Sequence, residues 1–359
     1  MIISANSIIF KEMLSQTEIL ETRGRIHLGL CCINNSLRQR SKISPFGETV
    51  VDKKLWTKTP IFTSRSCIRK TFSVERAKEL AMQNLNDIIP MLQWNHEHGI
   101  RHFRLSSEMF PHFTDPETEP YSLDFAKDRL RAIGKVAKKL GHRLTFHPGQ
   151  FNQIGAKSRD VFERTISDLK MHADILDFMG IDDNGILCIH GGGKYDDKAA
   201  TMRRWTEQFD ELPSNVRRRL AIENCEKCYC VRDCLDLSEA CNIPVIMDSH
   251  HYNCYERFND VTQEDPHDLM EEVVESWGNR TPLVHVSDPR NATQFTAHHD
   301  YVKKIPDYFL EVPSRYGVDL HIEVEAKAKE AAIFQLMSTH EELFPEEDLI
   351  NVDILRQSF

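Results

Sequence analysis

Short apolar runs that end on an acid or a histidine recur along this chain. In LAIENCE (220–226), Leu220, Ala221 and Ile222 read as a buried strand, and Glu223 stands where a core would continue. RLTFHP (143–148) ends on His147, GILCIHG (185–191) on His190 and PVIMDSHH (244–251) on Asp248 and His251. LVHVSD (283–288) carries His285, and VDLHIEVE (318–325) carries Glu323. Helical periodicity separates these runs. Ser73 is placed to cap a helix in which Ala77, Leu80, Ala81, Leu85, Ile88 and Ile89 recur, up to Gly99. Phe125, Leu130, Ile133, Val136 and Leu140 mark the next, closed by Gly141. Further helices are expected over 161–179, 197–217, 232–241, 269–277, 301–309 and 327–338. With strands at 25–33 and 102–107, eight strands alternate with helices, which predicts one α/β domain, a (β/α)8 TIM barrel. In such a barrel the C-terminal strand ends share one face. A single buried Glu is usually a satisfied core carboxylate; six such strand ends in series argue for a site.

The barrel is expected over 25–340, after an extension at 1–24 with a helix over 10–21, and before an acidic tail at 341–359. The segment 35–70 reads as a long loop whose Arg38, Arg40, Lys42, Arg65, Arg69 and Lys70 are candidates for phosphate contacts. A net charge of −10 over 359 residues argues against generic coating of nucleic acid, though not against a local basic track or bound cations. No apolar run approaches the roughly 20 residues of a membrane helix. No secretory signal is visible, so the ten cysteines read as reduced thiols of an intracellular protein, cytoplasmic or nuclear. Cys225, Cys228, Cys230 and Cys234 are spaced like a metal knuckle without its second half and read as structural thiols, with an extra zinc as the alternative. GGGK (191–194) lacks the rest of a P-loop, which sets nucleotide hydrolysis aside.

The candidate ligands are His147, His190, Glu223, Asp248, His251, His285, His298 and Glu323. Imidazole mixed with carboxylate suits Zn, Mn, Fe or Co. Eight ligands exceed what one ion uses, so a cluster of two or three ions is expected at the barrel mouth, with Glu223 bridging. Metals about 3.5–4 Å apart are a usual arrangement for phosphodiester hydrolysis.

This order of ligands is similar to trinuclear sites of the endonuclease IV type, and the local motifs resemble the UV damage endonuclease family more closely. The motifs are FRLSSEMFP (103–111), FHPGQF (146–151), IHGGGK (189–194), IEN (222–224), DSHH (248–251), HVSD (285–288) and HHDYV (298–302). The resemblance implies incision of damaged double-stranded DNA 5′ to the lesion; a monomer is expected. It implies Mn2+, up to three ions, with Zn2+, Co2+ or Mg2+ as substitutes. By that analogy His147, His190 and Glu223 hold one ion, and Glu223, Asp248, His285 and Glu323 a second. His251 and His298, with Asp300 as a further candidate, hold the third. Glu223, Glu323 and His285 are then the catalytic candidates, while Asn34, Gln150, Phe151 and His112 face the lesion. The chain departs from the family where Phe151 replaces a Tyr, Leu30 another Tyr, and Leu283 a Lys near the metals. These departures bear on lesion range. The alternatives are a two-metal sugar isomerase on the same barrel, an AP endonuclease of the endonuclease IV type, and a non-catalytic binder of damaged DNA.

Overall fold

A computed structural model describes residues 24–38, 60–195, 197–346 and 348–349, with the backbone of 42–43 and 49–50. The expected helix at 10–21 lies outside these residues. Eight parallel strands form the barrel: β1 (Ile26–Cys31), β2 (His102–Leu105), β3 (Arg143–Phe146), β4 (Leu187–His190), β5 (Leu220–Glu223), β6 (Val245–Ile246), β7 (Leu283–Val286) and β8 (Leu320–Val324). They pair in the order β6-β5-β4-β3-β2-β1-β8-β7. The ring closes where Asp248 bridges to His285 and the His285 N–H donates to the Met247 carbonyl at 3.0 Å. Two short antiparallel strands, Lys42–Ile43 and Thr49–Val50, stand outside it in the long loop.

The main helices are α1 (Val74–Glu97), α2 (Lys127–Lys139), α3 (Arg159–Met179), α4 (Lys198–Phe209), α5 (Val231–Cys241), α6 (Ser249–Asn259), α7 (Pro266–Glu275) and α8 (Glu330–Thr339). Ser73 caps α1 as expected, accepting from the Arg76 N–H at 3.1 Å. One core of apolar side chains fills the space between strands and helices, with Leu30, Phe103, Leu144, Ile189 and Ile322 all buried in it. A smaller cluster, Ile186, Cys188, Ala221, Ile246, Trp277 and Leu283, fills part of the barrel interior.

Three expectations fail locally. The helix expected at 197–217 ends at Phe209, and Pro213 starts a separate turn, Ser214–Arg217. Residues 301–306 are irregular, and Pro306 precedes the short helices Asp307–Leu310 and Val312–Tyr316. The strand expected to run to His251 stops at Ile246, because Asp248 caps α6 by accepting from the His251 N–H at 2.7 Å. The acidic tail packs where it is described: Asp348 pairs with Arg101 at 2.8 Å, and Leu343, Phe344 and Leu349 rest on the core.

Candidate metal centre

Every second residue of a barrel strand points inward. The last inward positions of β3 to β8 therefore meet at the mouth. Glu223, wholly buried, is the hub. Its Oε2 lies 2.7 Å from His147 Nε2 and 3.7 Å from His190 Nδ1. Its Oε1 lies 3.0 Å from His285 Nδ1 and 3.3 Å from His251 Nδ1. The Cys188 thiol also donates to Oε2, at 3.1 Å. Burial alone would raise the Glu223 carboxyl, but His190, His285 and His147 outweigh it and hold it well below the usual range. Burial likewise opposes charge on His251, and Asp248 and Glu223 reverse that, pushing it up to about 10. Glu223 and Glu323 raise His285 in the same way against its burial. Charged imidazoles thus neutralise a cluster of buried carboxylates, a task divalent cations would also perform.

The donor set fits such ions. His147, Cys188, Glu223 and His285 offer atoms within 4.8 Å of one another, as do His190, Glu223 and His251, also Asp248, His285 and Glu325, and Cys31, Glu323 and Glu325. Glu223, His285 and Glu325 each belong to two groups. Asp248 Oδ2 and His190 Nδ1 are buried without a hydrogen-bond partner, leaving ligand atoms free.

The two carboxylates of β8 and its exit differ. Glu323, expected as a ligand, sits deeper. Its Oε1 accepts from Thr145 Oγ1 at 2.7 Å and lies 3.0 Å from His102 Nε2, while Oε2 takes Arg104 and His285, each at 3.1 Å. Gly29 makes room for that layer, since a Cβ there would meet the His102 ring at 3.0 Å. Glu325, not singled out in the sequence, is the carboxylate grouped with Asp248 and His285, and Arg104 pairs with it. Burial opposes ionisation of Glu325, but Arg104 and His285 prevail and keep it ionised. His298 stands at the rim, its Nδ1 2.9 Å from the Glu325 carbonyl and 3.6 Å from Oε2, outside the four groups. Asp300 is exposed, and its carbonyl accepts from the Ala328 N–H at 2.9 Å.

A family profile described as UV-endonuclease UvdE matches residues 26–353. The chain belongs to the UvdE family. Its members act as endonucleases in DNA repair, and that is the activity class of this chain. It is 33% identical to the "Putative UV-damage endonuclease" of Acanthamoeba polyphaga mimivirus, over 93% of this chain and 97% of that one. It is 31% identical to the "UV DNA damage endonuclease" of Bacillus cereus strain B4264, over 81% of this chain and 93% of that one. The crystal structure of SacUVDE superposes with a TM-score of 0.74 at 28% identity, covering 89% of this chain and 99% of that one. Against the longer UV-damage endonuclease of Neurospora crassa, 37% identical, this UvdE-family chain spans 41% of the length.

Around the UvdE-family centre the expected lesion-facing residues separate. Gln150 is exposed and so is Phe151, at 63%, its ring folded over Gly149, where a Cβ would meet it at 2.6 Å. His112 is pinned instead: its nitrogens lie 2.7 Å from the Cys67 carbonyl and 3.1 Å from Asp115. It lines, with Phe151, Arg69 and Arg164, a cleft of ≈ 780 Å³ beside the ligands. Asn34 is 1% exposed and caps the turn Asn35–Arg38 by accepting from the Leu37 N–H at 2.9 Å, so it is not brought out beside Phe151. Leu30 faces the outer core, and Leu283 packs in the inner cluster. Of the basic loop, Arg65 is committed to Asp87 and Arg69 to Asp115 and Glu117, while Arg40 lies outside the described residues. The knuckle-like cysteines converge on no common point among the described residues. Cys225 accepts from the N–H groups of Cys228 and Tyr229 at 3.3 Å, and Cys230 caps α5. No helix among the described residues is long and apolar enough to cross a membrane.

Proposed function

We propose that this chain nicks duplex DNA 5′ to ultraviolet photoproducts, both pyrimidine dimers and 6-4 photoproducts, with up to three bound Mn2+ ions. The observation that carries the reading is Glu223, ringed at the mouth by the imidazoles of His147, His190, His251 and His285. Glu223 with His147 would hold one ion, Glu223 with His190 and His251 a second, and Asp248, His285 and Glu325 a third, with His298 at the rim. Divalent ions held there supply Lewis-acid charge, which acidifies water and offsets charge building on the phosphodiester oxygens. The chain's own part is to keep Glu223 and Glu325 ionised, to aim the imidazoles through fixed strand ends, and to place Gln150 and Phe151 where the duplex opens. Glu323 acts one layer down, by holding Arg104 against Glu325. The damaged nucleotides leave the stack to reach this recessed centre. The enzyme acts as a monomer, in the compartment that holds DNA. An isomerase or an AP endonuclease is not favoured, since the match over 26–353 is to UV endonucleases.

The test is nicking of irradiated and unirradiated supercoiled plasmid, with metal analysis of the same preparation. The expected result is nicking of irradiated plasmid only, abolished by EDTA and restored best by Mn2+. Equal nicking of both plasmids, or full activity in EDTA, would overturn the reading. On oligonucleotides carrying a photoproduct, Phe151→Ala is expected to weaken binding by about 1–3 kcal/mol. The exposure of Phe151 means the melting temperature should stay unchanged.

A further inference from the structure

Among the described residues the large apolar side chains left exposed are Ile68, Phe151, Phe258 and Val261. Ile68 and Phe151 belong to the exits of β1 and β3. Phe258 and Val261 lie at and just beyond the end of α6, the helix that Asp248 begins at the metal centre. The Phe258 ring meets Phe295 in the β7 exit, with centroids 6.2 Å apart. In the pairing order β3 and β7 are four strands apart, on opposite sides of an eight-stranded ring. Phe151 and the Phe258–Phe295 pair therefore stand across the mouth from each other.

The second pair is set among cations. Lys227 lies over Phe258 at 4.7 Å, and Arg257 over Phe295 at 4.1 Å. Arg257 also lines, with Arg290 and Lys303, an adjoining cleft of ≈ 390 Å³. Lys227, Arg257, Arg290 and Lys303 are exposed, and none is in an ion pair among the described residues. Elsewhere on the surface Arg232 is matched by Glu264 and Glu272, and Arg218 by Asp177 and Asp183. The cleft does hold one acid, Asp288, whose carboxylate accepts from the Lys303 N–H at 3.1 Å. A chain of net charge −10 that acts on DNA needs its positive charge concentrated locally, and here it is interleaved with aromatic rings. Rings flanked by cations are the chemistry that holds unpaired bases and their phosphates.

We propose that Phe258, Phe295 and the surrounding cations form a second DNA-holding surface, which takes the undamaged strand. It rests on the reading of the chain as a nuclease on damaged duplex. When the lesion leaves the stack, its partner bases are left unpaired. Phe258 stacks on one of them while Lys227, Arg257, Arg290 and Lys303 meet the phosphates.

The test is equilibrium binding by the full chain to a duplex with one photoproduct, against the same duplex with abasic sites opposite the lesion. Phe258→Ala is expected to weaken binding to the first duplex by at least about 5-fold. It should bind the abasic duplex as the parent does, with melting temperature, metal content and nicking rate at saturating DNA unchanged. Arg257→Ala should lower the slope of log affinity against log salt by about 1. Parental binding by Phe258→Ala, an equal loss on both duplexes, or an unchanged salt slope for Arg257→Ala would each overturn the inference. If the parent itself fails to nick irradiated DNA, the functional reading fails. If the parent nicks and the variants bind as it does, only this inference fails.

Discussion

The two halves of the barrel interior are built from opposite materials. Beneath β4 to β7 lie Ile186, Cys188, Ala221, Ile246 and Leu283, an apolar floor closed by Trp277. Beneath β8 to β3 lie His102, Thr145, Glu323 and Arg104, joined by hydrogen bonds and ion pairs of 2.7–3.1 Å. A carboxylate means something different on each side. Glu323 is already engaged by Thr145, His102 and Arg104, and it shares only His285 with the ligand set around Glu223. Over the apolar floor the partners of Glu223 are imidazoles and one thiol, groups that can turn to a bound cation. The polar half works as a strut: Arg104 spans Glu323 and Glu325 and so fixes the carboxylate that is grouped with Asp248 and His285.

The largest expected effect tests the free carboxylate. Glu223→Gln keeps the shape and removes the charge, so it should lose at least one ion and abolish nicking while the fold survives. Residual nicking above about a tenth of the parent rate, a loss under roughly 1.4 kcal/mol, would remove Glu223 from the bridging role. Glu323→Gln should behave differently. It leaves Arg104 and His285 short of a buried partner and should destabilise the fold by about 3–5 kcal/mol in urea unfolding. Glu325→Gln supplies the contrast: metal content should drop with a smaller change in stability. If Glu323→Gln instead strips metal without destabilising, the assignment of the two acids is reversed.

This distinction shows where the sequence stops being informative. Strands buried on both faces read as apolar runs, and a ligand at the end of each breaks the run visibly; His147, His190, Glu223 and His285 were legible for that reason. Glu323 and Glu325 share one face by the two-residue period, so sequence alone does not say which is at the rim. Depth is set by register, here Gly29 opposite both Glu323 and His102. The alternation that exposed Glu323 could have carried the reading two residues further. Arg104 stands inside FRLSSEMFP, a motif that carried the resemblance without a role for any one of its residues. The helix α6 was read as more strand because DSHH follows an apolar run. Asp248 three residues before His251, as cap and first turn, was the available signal. The helix expected over 301–309 is confined to its last residues because Pro306 sits at the N-cap and the helix begins only at Asp307.

The apolar half is tested by Leu283, the position where the family resemblance led us to expect Lys. Leu283 is wholly buried among Ile246, Ala221 and Cys188. Leu283→Ala should cost about 2–5 kcal/mol through lost burial and a cavity, with metal content retained. Leu283→Lys places an ammonium in that floor. Parental stability for it in the metal-free protein would mean the floor admits charge, and the contrast between the halves would weaken.

The smallest expected effect probes the strut from within. Thr145 has one hydroxyl proton, and Glu323 Oε1 can only accept, so Thr145 donates to it at 2.7 Å. The same Oγ1 lies 2.8 Å from His102 Nε2, and with its own proton committed it accepts there. His102 therefore carries its proton on Nε2, consistent with Nδ1 being the ring atom left without a partner. Thr145→Val removes that relay at nearly constant volume. One hydrogen bond to a charged acceptor is lost, which predicts a destabilisation of about 1.5–3 kcal/mol. In the Glu323→Gln background the same substitution should cost less, because the acceptor's charge has already gone. Urea unfolding of the two single variants and the double variant measures that coupling. Metal content of Thr145→Val decides the larger question. If it stays at the parental value, the polar half supports the ligands without being one of them; if an ion is lost, Glu323 reaches the metal centre through its own oxygens, and the two halves differ in depth rather than in kind.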